Sequence, residues 1–120
     1  MKKFPKFLAA GAMALTVLAG CGSEGAGSTV ELKDGDTVKV GLNYELSGST
    51  ATYGLAMDKG SKLAIKQYNE NENSKYKIEV VSQDCKSDST EAQSIASKLM
   101  TEEKVAFQVG PATSIDSIAT

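Results

Sequence analysis

The chain has 120 residues, 13 Lys and Arg against 15 Asp and Glu, a formal net charge of −2 and no histidine. That length allows one small domain. The missing imidazole excludes a Cys/His zinc site, a histidine general base and a Ser-His-Asp triad, and a mildly acidic, mixed charge argues against a nucleic-acid partner, which needs clustered Lys and Arg.

Lys2, Lys3 and Lys6 precede an apolar run, Leu8 to Ala19, that ends in Leu18-Ala19-Gly20-Cys21. At about a dozen residues the run is too short to cross roughly 30 Å of hydrocarbon as a permanent helix, and it matches the apolar part of a secretory signal. Small residues before the cysteine let a peptidase groove close on the backbone, and sulfur is the nucleophile that takes a diacylglyceryl group. The expected organisation is a lipoprotein signal peptide over 1–20, lipidation at Cys21, and attachment to the outer face of the bacterial cytoplasmic membrane through acyl chains. Each buried methylene of those chains contributes ~0.8 kcal/mol. An ordinary signal peptide with an incidental cysteine is the plainer alternative. Cleavage would take the three lysines with it and move the net charge from −2 to −5.

Residues 21–36 read as a flexible tether, loose over Gly22 to Ser28 and closed by a turn at Asp34-Gly35-Asp36. Thr37 to Tyr44 alternates Val38, Val40, Leu42 and Tyr44 with Lys39, Gly41 and Asn43, which predicts a first strand. A Ser/Gly-rich loop, Glu45 to Thr50, leads to a helix over Tyr53 to Glu70. Its expected packing face is Ala56, Gly60, Leu63, Ala64 and Gln67, with Gly60 explained by close approach to a sheet. Tyr76 to Val81 predicts a second strand. Asp88 with Glu91 predicts a capping box opening a second helix, whose apolar stripe is Ala92, Ile95, Ala96, Leu99 and Met100. Val105 to Val109 predicts a third strand, Gly110 to Thr113 a turn, and Ser114 the start of a third helix.

Alternating strands and helices of these lengths predict a doubly wound α/β layer with a parallel sheet. Ligands of such sheets sit beyond the carboxyl ends of the strands. Three strands and a short last helix would leave an apolar face uncovered, so residues 37–120 are expected to be the front part of a longer protein, either as a fragment or as a truncated reading frame.

Two of the strand-end loops are rich in hydroxyls and short backbones: Ser47, Gly48, Ser49, Thr50 and Thr52 in one, Thr113 and Ser114 in the other. Beside helix N-termini they suit a small anion such as a carboxylate. The plain alternative is that Thr113 or Ser114 is only a helix cap and the first loop only a polar turn. Tyr53 stands where that loop becomes helix, placed either to cover a ligand or to pack. Gly41, Gly48 and Gly54 do not make a G-x-G-x-x-G fingerprint and no phosphate loop is present, so no nucleotide cofactor is expected. Asp84 and Asp88 flank Cys85, but Asp88 is better used as a cap, and no catalytic or metal-ligating residues are assigned. With Cys21 lipidated, Cys85 has no intrachain partner; it is a buried or half-exposed thiol, or forms an intermolecular disulfide.

Val38-Lys39-Val40-Gly41, Leu46-Ser47-Gly48, Tyr53-Gly54, Gly60, Ile78-Glu79-Val80-Val81, Asp84, Ser87-Asp88, Ala92, Lys98-Leu99, Val105 and Val109-Gly110-Pro111 together resemble the opening of branched-chain amino acid binding proteins of ABC transporters. The resemblance covers the chain after the tether. It implies the type I periplasmic-binding-protein fold, here its N-terminal lobe, truncated, in a two-lobed clamshell roughly three times this length. It also implies a small-molecule ligand, an amino acid or similar carboxylate, and ABC permease subunits as partners. Tyr53 and Ser114, with Thr113 beside it, correspond to family ligand contacts; Ser47 belongs to the same loops. A disulfide found in some members is not implied, since no Cys lies near Gly110. An extracellular ligand-sensing receptor domain of the same fold is the alternative function.

Overall fold

The alternation of Val38, Val40, Leu42 and Tyr44 becomes strand β1 (Thr37–Tyr44) in a computed structural model, which describes residues 31–120. The expected signal peptide over 1–20, the expected lipidation site Cys21 and the expected loose tether over 22–28 lie outside the described residues. The turn before β1 forms as expected: Asp36 N donates to Lys33 O at 3.0 Å, and Gly35 supplies the left-handed φ of +95°.

After β1 follow α1 (Ala51–Glu70), β2 (Lys77–Asp84), α2 (Ser89–Thr101), β3 (Phe107–Val109) and α3 (Ser114–Ala119). All strand pairs are parallel and the order is β2-β1-β3. β1 is therefore central, which is why it is buried on both faces from Val40 onward. One face carries Val40, Leu42 and Tyr44, packed with Ile78, Val80 and Ala112, and lies under α1, where the Tyr44 hydroxyl meets Ser61 Oγ at 2.9 Å. The other face carries Gly41 and Asn43 and lies under α2. A Cβ on Gly41 would stand 2.8 Å from a methyl of Leu99, so the bare glycine is the seat of that leucine. Asn43 Nδ2 donates to Ala92 O at 3.0 Å. Cys85, Ala92, Ile95, Leu99 and Val105 complete this second core. Helices on both faces of a parallel sheet are the doubly wound arrangement that the alternating elements predicted.

Several local expectations need correction. α1 buries Gly54 and Asp58, with Ser61 and Ile65 half-buried on the same side, while the predicted face points to solvent. Leu63 is 56% exposed, and a Cβ on Gly60 would meet nothing within 4 Å. The sheet beneath α1 offers hydroxyls, and the helix answers with polar groups: Asp58 accepts from Ser82 Oγ at 3.1 Å and from Lys62 Nζ at 2.8 Å. The capping box is half made. Asp88 accepts from Glu91 N at 2.9 Å, but Asp88 N donates to Cys85 O, and the Glu91 carboxylate turns to Lys86 at 3.5 Å. Met100 is 50% exposed and leaves the expected stripe. β2 runs three residues further than expected because its ladder with β1 continues to the pair Tyr44↔Asp84. β3 starts two residues later than expected; Val105, 5% exposed, belongs to the core ahead of the strand. Among the described residues no helix is long and apolar enough to cross a membrane.

Candidate functional site

Parallel pairing brings the carboxyl ends of the strands together, with Tyr44 beside Asp84 and Leu42 beside Val109. Three loops therefore gather at one end of the sheet, after β1, β2 and β3. This is also where the chain reverses its direction of winding, since β2 and β3 lie on opposite sides of β1.

The loop after β1 is held by the loop after β2. Asp84 accepts from Leu46 N at 2.9 Å, Ser47 N at 3.1 Å and Ser47 Oγ at 2.7 Å, and from Lys86 N at 2.8 Å. Burial opposes its charge, but these donors outweigh burial and hold its carboxyl below the ordinary value. Ser87 adds a second clasp: its hydroxyl donates to Ser47 O at 2.8 Å and accepts from Thr50 N at 3.1 Å and Thr50 Oγ1 at 2.8 Å. Thr50 precedes α1 but does not cap it with its side chain, because that hydroxyl is engaged with Ser87. Gly48, at φ +87°, lies so close that a Cβ would come within 2.7 Å of Ser87 Oγ.

The loop after β3 is held from β1. Glu45 is fully buried; Oε2 accepts from Ala112 N at 2.9 Å and Oε1 from Thr113 N at 3.0 Å. Burial again opposes the charge, and the backbone N–H donors, Ala112 first, bring the carboxyl below its ordinary value. Thr113 caps α3: Asp116 N donates to Thr113 Oγ1 at 3.4 Å, and that hydroxyl donates to Asp116 Oδ2 at 3.0 Å. Asp116 Oδ1 accepts from Ser89 Oγ at 2.7 Å, which ties α3 to the start of α2.

Ser47 and Thr113 are thus committed within the protein through their hydroxyls. Tyr53, 68% exposed in the first turn of α1, and Ser114, exposed in the first turn of α3, present hydroxyls that no described group satisfies. Glu45 lies between these two turns, since Gly54, next to Tyr53, packs on the Glu45 backbone, while the Glu45 side chain holds Thr113, next to Ser114. Asp84 and Asp88 are not a free carboxylate pair: one binds loop amides and the other caps α2.

Glu45, Cys85 and Asp116 bring three potential ligand atoms within 4.8 Å of one another. The set does not suit a cation. Every carboxylate oxygen already accepts a hydrogen bond from the protein. Burial first, and then the Glu45 charge, pushes the Cys85 thiol up to about 11, so it stays protonated. Cys85 is therefore expected to resist iodoacetamide at pH 8 in the native protein and to react on unfolding, read by peptide mass mapping; fast native labelling would contradict its burial. An apolar groove of about 490 Å³ between α2 and β3, lined by Ala96, Met100 and Phe107 among others, contains none of the strand-end residues.

Residues 37–120 match the family model described as periplasmic binding protein. The chain belongs to that family. No curated protein matches it. Among solved structures, it is similar to the branched-chain amino acid transporter substrate binding protein LivJ of Streptococcus pneumoniae, solved in complex with isoleucine, at 45% identity and a TM-score of 0.67, over 69% of this chain and 24% of that one. It is also similar to an ABC transporter solute binding protein of Rhodopseudomonas palustris in complex with 3,4-dihydroxy benzoic acid (30% identity, TM-score 0.62, 69% and 23% covered). A third is the leucine binding protein LivK of Thermotoga maritima (26% identity, TM-score 0.62, 68% and 23% covered). The chain thus spans about a quarter of the length of these relatives. The family is one of solute-binding proteins, not enzymes, and it places the chain outside the cytoplasm. The buried acid Glu45 and the Asp84–Ser87 clasp had no sequence signal, because their partners lie tens of residues away and Glu45 reads as an ordinary loop acid.

Proposed function

We propose that this chain forms one wall of the ligand cleft of an ABC importer's solute-binding protein. Its ligand is an amino acid of the branched-chain type or a similar small carboxylate. The observation that carries this reading is the 45% identity to a protein solved with isoleucine. The two ligands named for the similar structures, isoleucine and 3,4-dihydroxy benzoic acid, share a carboxylate and differ in the rest. Hydroxyls at the strand ends suit the shared part.

In this reading Tyr53 and Ser114 make the direct contacts, and Ser47 and Thr113 flank them. The cleft closes when ligand bridges two lobes and shifts a hinge equilibrium, and the permease subunits recognise the closed form. No covalent step is needed. A lipid on Cys21 holds the protein to the outer face of the cytoplasmic membrane, with residues 21–36 as the tether.

Calorimetric titration of the full-length protein with isoleucine tests the site. Tyr53→Ala and Ser114→Ala are each expected to weaken binding by about 1–3 kcal/mol, the range for leaving a buried partner unpaired. Tight binding unchanged by both substitutions would place the cleft elsewhere.

A further inference from the structure

We propose that Glu45 is the positioning residue for the ligand contact at Ser114: its buried carboxylate, reaching from the end of β1, fixes the Ala112–Thr113 backbone and so sets where the next residue presents its hydroxyl. The inference rests on the reading of Ser114 as a ligand contact and deepens it.

The geometry is specific. The two oxygens of one side chain each take one backbone N–H, from consecutive residues, at 2.9 and 3.0 Å. Two parallel bonds to one planar group fix orientation as well as distance. The loop they fix also rests on the sheet through buried Pro111 and through Ala112 against the β1 core, but of those contacts none holds the Ala112 and Thr113 amides. Gly110 is in a left-handed conformation at φ +95°, and β3 before it has only three residues. The remaining polar groups of the turn are used internally, with Thr113 Oγ1 on Asp116 and Ser117 Oγ on Pro111 O. Ser114 is left as the exposed hydroxyl at the start of α3.

Glu45 also has no freedom to move away. It is fully buried, its backbone is pressed by Gly54, and Cys85 and Asp116 close the space around its carboxylate. An uncharged side chain of the same shape would fail at this task. Glutamine offers one oxygen and one NH2, so one of the two backbone N–H groups would face a donor instead of an acceptor.

The test is a double-mutant cycle on the full-length protein, with isoleucine as the probe and calorimetry as the readout. Glu45→Gln and Ser114→Ala are each expected to weaken binding roughly tenfold. If Glu45 acts through Ser114, the double variant falls little below Ser114→Ala alone, instead of roughly a hundredfold below wild type. Additive losses would mean that Glu45 serves only general stability, and the inference would fall. If Ser114→Ala weakens binding and Glu45→Gln does not, the inference fails while the site reading stands. If Ser114→Ala leaves tight binding intact, Ser114 is not a ligand contact and the inference falls with it; if Tyr53→Ala also leaves it intact, the site reading itself fails. A second measurement needs no variant: hydrogen exchange in the wild-type protein should show protected Ala112 and Thr113 amides. Free exchange at both would overturn the clamp whatever the titrations give.

Discussion

Gly54→Ala is expected to lower folding stability by about 3 kcal/mol, the upper part of the usual range for overpacking. A Cβ at this position would stand 2.6 Å from the carbonyl carbon of Glu45 and 2.8 Å from its backbone nitrogen, and would overlap its carbonyl oxygen. Those atoms are main chain at the end of the central strand, so no side-chain rotation relieves the clash. Helix propensity works the other way, favouring alanine over glycine by about 1 kcal/mol. Gly60→Ala isolates that opposing effect, because nothing lies within 4 Å of the added methyl; it should stabilise by up to about 1 kcal/mol. Urea midpoints of the two variants therefore move in opposite directions. A Gly54→Ala variant as stable as wild type would mean that α1 does not rest on Glu45.

Leu99→Ala should be of similar size or larger, about 2–5 kcal/mol. Leu99 is fully buried in the core between α2 and the sheet. The strand residue it covers is Gly41, which has no side chain to fill the space left behind. For a domain whose whole stability is of order 5–15 kcal/mol, that is a substantial fraction. The pair should also be non-additive. Gly41→Ala alone should be destabilising, because its Cβ would come within 2.8 Å of Leu99 Cδ1. In the Leu99→Ala background the same methyl enters the cavity and should recover part of the loss. Thermal unfolding of the two singles and the double measures this, and simple additivity would contradict the glycine-and-leucine fit.

The sequence made the sheet legible because its strands are apolar in a regular rhythm. Val38, Val40, Leu42 and Tyr44 give β1 to the residue, and Asp88 marks the start of α2. α1 departs from its hydrophobic period for a definite reason. Its buried side holds Gly54, Asp58 and Ser61, of which Asp58 meets the Ser82 hydroxyl and Ser61 the Tyr44 hydroxyl, while Leu63 looks outward. Hydrophobic period points away from such a face. The same limit applies at the strand ends. Tyr53, Ser114 and Thr113 could be placed on their turns from loop chemistry and family resemblance. What holds those turns could not: Glu45 meets amides 67 and 68 positions later, and Asp84 meets Leu46 and Ser47 across 38 and 37. Long-range polar contacts of this kind leave no periodic trace.

The clasp of Asp84 and Ser87 on Leu46–Thr50 has a practical consequence for exchanging loops between relatives. Transplanting the first loop by itself into a relative would leave its amides facing a foreign neighbour, and the grafted segment would lose its shape. The two segments are one inheritable unit, so an exchange that keeps the loop's shape has to move both at once.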